Sequence, residues 1–133
     1  MAKIERFEDI LSWQEAGKLN ESIGKLIDEG RFKNSYRLIN QIEGSAGSIM
    51  DNIAEGFERG GNREFIQYLY IAKASCGEFR SQLYRAMDRK IVTEDEFGSF
   101  TMQAKLSSLI QRLISYLENS SYKGVRNKNM RNT

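Results

Sequence analysis

The sequence predicts an all-α protein, an antiparallel up-down four-helix bundle, and three observations predict it. Among 133 residues there is no proline, where average usage is about 5% and a helix interior tolerates that residue least. The apolar residues recur at three- and four-residue steps, the period of a helix and not of a strand. Gly30, the run Arg59-Gly60-Gly61 and the segment before Thr93 divide that pattern into four stretches. The length suits one domain able to bury its own core.

The first helix is expected from about Asp9 to Asp28, along Leu11, Ala16, Leu19, Ile23, Leu26 and Ile27, with Gly30 free to take the left-handed conformation that closes it. The second runs from about Asn34 to Glu58 along Leu38, Ile42, Ile49, Ile53 and Phe57. The third runs from about Asn62 to Arg89 along Phe65, Leu69, Ala72, Cys76, Phe79, Leu83 and Met87. The fourth begins at Thr93, which with Glu96 forms a capping box, and continues to about Asn119. Rods of similar length joined by short connections pack as antiparallel neighbours. Residues 1–119 are thus read as the bundle and 120–133 as a basic, disordered tail.

Two patches of small residues fall mid-helix, Gly44 to Ser48 and Ala72 to Gly77. Glycine inside a helix costs up to about 1 kcal/mol relative to alanine, so these need a reason. With the hairpin centred between Gly60 and Gly61, position 46 should face position 75, and the patches either bring the two backbones close or line a cavity. The first is expected. Other apolar residues lie off the main stripes: Ile66, Tyr70 and Tyr84 on the third helix, Phe97 and Phe100 on the fourth, nearly opposite Leu106, Leu109, Leu113 and Leu117. They are expected to form a self-association surface; Phe97 and Phe100 have the alternative of covering a loop or the N-terminal segment.

Composition excludes several function classes. There is no histidine, the commonest metal ligand and neutral-pH acid/base, and a di-metal carboxylate bundle wants Glu-x-x-His motifs. No candidate nucleophile has a base partner in sequence, so no enzyme, cofactor or metal is expected. No apolar run reaches the roughly 18 residues of a membrane span, and Met1 to Ile10 is too charged for a signal peptide. Cys76 is the single cysteine, which suits a reducing cytoplasm. The net charge of +2 is unevenly placed: through Glu118, sixteen basic residues face eighteen acidic ones, while Lys123, Arg126, Lys128 and Arg131 follow with no acid. That tail, with Arg59, Arg63, Lys73, Arg80, Arg85 and Arg89, is the candidate contact surface for RNA or DNA.

The second helix also carries a polar motif, Ser48, Asp51, Asn52 and Glu55, followed by Gly56, Arg59 and Glu64-Phe65. Glu55 near a helix C-terminus wants a cation, Arg59 or Arg63, which would help fix the hairpin. The motif is therefore read as structural.

These residues carry a resemblance. Phe7-Glu8-Asp9-Ile10 and Trp13-Gln14-Glu15-Ala16, then Gln41-Ile42, Asn52-Ile53-Ala54-Glu55-Gly56, Arg59, Glu64-Phe65 and Tyr68-Leu69, resemble the four-helix-bundle family named after reading frames inside bacterial 23S ribosomal-RNA intervening sequences. The resemblance spans Phe7 to Leu117. It implies a left-handed antiparallel bundle, assembly into a homopentamer, and kinship with the accessory variability protein of diversity-generating retroelements, a basic pentamer that binds nucleic acid and a reverse transcriptase. The family tends to place basic residues just after Gln-Ile, where this chain has Glu43-Gly44-Ser45. The function expected is a non-enzymatic, ring-like homo-oligomeric scaffold associated with RNA or DNA. The alternative is a protein-interaction module of a mobile element without nucleic-acid contact.

Overall fold

The computed structural model of the chain describes residues 4–103 and 105–120. Among these the fold is all-α, with no strand: a short 3₁₀ turn (Phe7–Asp9) precedes α1 (Leu11–Asp28), α2 (Tyr36–Glu58), α3 (Asn62–Asp88), α4 (Glu94–Gln103) and α5 (Leu106–Glu118). Four helical stretches were expected and four are present, the last in two pieces. No helix among the described residues is long and apolar enough to cross a membrane. The tail residues Lys123, Arg126, Lys128 and Arg131 lie outside the described residues.

Local chemistry sets the ends. Gly30 adopts φ +79°, and the amides of Gly30 and Arg31 return to the carbonyls of Ile27 and Leu26 at 3.0 and 3.2 Å, closing α1 as its sequence requires. The capping box is present: Thr93 N–H donates to Glu96 Oε1 at 2.9 Å, and Glu96 N–H to Thr93 Oγ1 at 3.1 Å. Glu96 also receives Arg31 at 2.7 and 2.8 Å, while the same guanidinium donates to the carbonyl of Ile91 at 2.9 Å. One arginine thereby ties the α1–α2 loop to the entry of α4. The first helix starts at Leu11, two residues later than expected, because Ile10 is extended and ends the 3₁₀ turn.

The core is a continuous apolar cluster. It takes Leu19 and Ile23 from α1, Ile42, Ile49 and Ile53 from α2, Leu69, Phe79 and Leu83 from α3, and Leu106, Ile110 and Ile114 from α5. The break between α4 and α5 corrects the expectation of one continuous fourth helix. On an unbroken helix Phe100 and Leu106 lie about 120° apart, on different faces. Interrupted at Lys105, both are buried, and Phe100 meets Phe79 edge-on at 6.1 Å. The second apolar face is satisfied within the chain, so Phe100 belongs to the core and not to a partner surface. Phe97 and Ile66 are likewise partly buried against the core.

Between α2 and α3 the small patches do meet, with Ser48 Oγ 2.9 Å from Ser75 Oγ and with Ala46 and Ala72 fully buried. The pairing is two residues from the one expected. The glycines are not the cause: a Cβ on Gly44, Gly47 or Gly77 would meet nothing within 4 Å. The tight contact is at Gly56, where a Cβ would stand 2.6 Å from Tyr68 Cβ and 3.1 Å from the Phe65 ring.

Candidate functional site

Helix α3 presents two flanks, and the polar and cationic residues singled out in the sequence divide between them. The flank against α2 is a polar seam. At its hairpin end Arg59 donates to Glu55 Oε2 at 3.0 Å and to the Tyr68 hydroxyl at 2.8 Å, and that hydroxyl donates to the same carboxylate oxygen at 3.1 Å. The guanidinium also sits 5.3 Å from the centre of the Tyr68 ring. The Arg59 hydrogen bond, then that of Tyr68, lowers the Glu55 pKa. Gly56 is what lets Tyr68 come this close.

One turn earlier, Asn52 donates to the Ser48 carbonyl and hydroxyl at 2.8 and 2.9 Å, and Ser48 reaches Ser75. Buried Ser45 donates to Gln82 at 2.6 Å. Arg85 then donates to Gln41 at 2.8 Å and Arg89 to Ser35 at 3.0 Å. Asn52 is held by Ser48 within α2, while Ser48–Ser75, Ser45–Gln82, Tyr68–Glu55, Arg85–Gln41 and Arg89–Ser35 cross the hairpin, a set of contacts that fixes register. Asn52, Glu55, Gly56 and Arg59 thus sit together in a structural seam; Glu64 is exposed in the first turn of α3, where the helix dipole favours its charge. Arg63 does not pair with Glu55.

The opposite flank faces α5 and is open. A groove of about 310 Å³ is lined by Tyr70, Lys73, Ala74, Gly77, Arg80 and Ser107, with Cys76 at its base and no carboxylate on its wall. Lys73 donates to Gln111 at 2.6 Å, and Gln111 is itself held by Ser115 at 3.2 Å. Arg80 makes no ion pair among the described residues. Tyr70 and Tyr84 remain 45% and 50% exposed, and the Tyr84 ring is braced by Phe97 at 4.6 Å. Burial pushes the Cys76 thiol up to about 12, with the Arg80 charge opposing it, so at neutral pH it is a protonated, apolar group.

A second hollow of about 340 Å³ lies on the other side of α5, between the start of α1 and Leu109 and Leu113, with Ile4, Ile10 and exposed Leu11 around it. No group of three or more His, Cys, Asp or Glu among the described residues is placed to hold a metal ion.

The six cationic body positions are therefore not one patch. Arg59 is neutralised by Glu55, Arg85 and Arg89 lie on the α2 side, Lys73 and Arg80 lie on the α5 side, and Arg63 stands exposed near the hairpin. Of the five expected interface residues, Tyr70 and Tyr84 remain on the surface. The role of Tyr68 was not read from sequence; its signal is the thirteen-residue spacing to Glu55, which only the hairpin geometry makes meaningful. A search of curated proteins finds no match. The model of the 23S rRNA-intervening sequence protein family covers residues 8–122, and with that match over most of its length the chain belongs to this family.

Proposed function

We infer that this chain is a non-enzymatic scaffold that self-associates into a ring of five copies and acts as an RNA- or DNA-associated accessory factor in the cytoplasm. In this reading the bundle is up-down and antiparallel, and the kinship with retroelement accessory proteins holds. The observation that carries self-association is Leu11, 54% exposed on the rim of the apolar hollow between α1 and α5. A protruding leucine beside an apolar hollow is surface that a second copy can cover. Exposed Tyr36 and Ile71 add apolar surface beyond the needs of the core.

Nucleic-acid association is supported by charge. Lys73, Arg85 and Arg89 bond to neutral acceptors, so their positions are set without their charges being cancelled. Against catalysis stand the protonated Cys76 and the Glu55 carboxylate held between Arg59 and Tyr68, which leave no activated nucleophile or free base among them.

Light scattering coupled to size exclusion tests the assembly. The mass should be several times 15.3 kDa, with five copies expected, and Leu11→Asp should lower it while leaving helicity unchanged. A clean monomer at micromolar concentration overturns the reading. A reverse transcriptase or an rRNA intervening sequence beside the gene would support the kinship.

A further inference from the structure

We propose that the α3–α5 groove is a binding site for single-stranded nucleic acid, with Tyr70 and Tyr84 as stacking platforms and Lys73 and Arg80 as phosphate contacts. This rests on the nucleic-acid part of the reading above and gives it a place and a substrate class.

The pattern along α3 is aromatic, cation, small floor, cation, aromatic. Tyr70, Lys73, Gly77, Arg80 and Tyr84 fall within about 80° of one another around the helix. From Tyr70 to Tyr84 the strip is about 21 Å long, and its two cations stand about 10 Å apart along the axis. Between them Ala74 and Gly77 keep the floor low, and a Cβ on Gly77 would meet nothing within 4 Å. A ring face at each end and a positive charge inside each is what an unpaired strand engages: bases stack, phosphates neutralise cations, and sequence matters little.

The supporting contacts pre-position these groups. Phe97 braces one face of Tyr84 and leaves the ring half exposed, and Gln111, held by Ser115, orients Lys73 without neutralising it. No carboxylate lines the groove, so a polyanion entering it meets no repulsion there. The space of about 310 Å³ accepts an unstacked base, which an intact duplex does not offer.

The test is fluorescence anisotropy of the full chain with labelled oligo-dT and oligo-rU and with a duplex of equal length, at low and moderate salt. Single strands should bind more tightly than the duplex. Tyr70→Leu and Arg80→Gln should each weaken single-strand binding about tenfold, the scale of one lost base stack or charge contact. Arg80→Gln should also reduce the salt slope by about 0.7, the value for one phosphate contact on a single strand. Circular dichroism and light scattering on both variants should match the parent. If binding survives both substitutions but vanishes on truncation after Asn119, the groove is refuted while nucleic-acid association stands. Absence of binding to every probe refutes both. Equal affinity for duplex and single strand, or a changed oligomeric mass in either groove variant, overturns the proposal.

Discussion

The two flanks of α3 are made from similar residues put to opposite use. Against α2, serine, asparagine, glutamine and arginine close on one another, and Gly56 admits Tyr68 at a distance no larger residue would allow. Against α5, tyrosine, lysine and arginine line a groove and leave it open. Charge and aromatic content alone do not separate a structural surface from a working one. What the groove adds is an arginine with open space beside it: Arg59 is held by Glu55 and Tyr68, while Arg80 lines the groove with no ion pair among the described residues.

The largest effect expected tests whether the α5 side is open only at its surface. Phe100→Glu and Leu113→Asp each place a charge in the apolar core, and each should cost several kcal/mol or prevent folding. A well-folded Phe100→Glu protein in chemical denaturation would mean that α4 packs elsewhere. Next in size is a contrast of sign between glycines of one helix. Gly56→Ala should destabilise by about 1–3 kcal/mol through overpacking against Tyr68 and Phe65. Gly44→Ala, in open space on the same helix, should stabilise by up to about 1 kcal/mol through propensity. Equal signs in urea titrations would dissolve the distinction between a needed and a tolerated glycine.

Within the seam, Gln82→Ala removes one of two acceptors of buried Ser45, leaving the Ile42 carbonyl at 3.1 Å, and should cost about 0.5–1.5 kcal/mol, read as a shifted denaturation midpoint at unchanged slope. The smallest effect is a pH dependence away from both flanks. The Arg31 hydrogen bonds, then the Thr93 amide, hold Glu96 at about 2, below its ordinary value of 4.5. A carboxylate depressed on folding adds stability that is present above about 4.5 and is lost as pH falls from there through about 2. The melting temperature of the parent should therefore exceed that of Glu96→Gln at neutral pH and converge with it across that window. A difference that persists at the acid end would point to packing rather than to charge.

Much of the fold was legible because helical signals are local. The Thr93–Glu96 box, the Gly30 closure and the apolar stripes each involve residues a few positions apart, and they appear as read except at Leu11, which was placed on the first stripe but is 54% exposed while Ile10, in the preceding turn, is buried in its stead. The break at Lys105 was not, although its cause was visible as two apolar faces on one stretch. Those faces equally suit a partner, and only three-dimensional packing shows that Phe79 takes Phe100. The groove was half legible. Tyr70, Lys73, Arg80 and Tyr84 share a flank by helical counting, but their separation from Arg85 and Arg89 depends on which neighbour, α2 or α5, stands beside each.

The most direct measurement compares the flanks in one assay, single-strand binding at low salt by Arg80→Gln and by Arg85→Gln. Both remove one arginine from α3, and neither residue is in the core. Arg80→Gln should lose about tenfold in affinity, the cost of a direct phosphate contact, while Arg85→Gln should lose far less, the effect of a distant screened charge. Equal losses would contradict the division of α3 into a structural seam and a working groove.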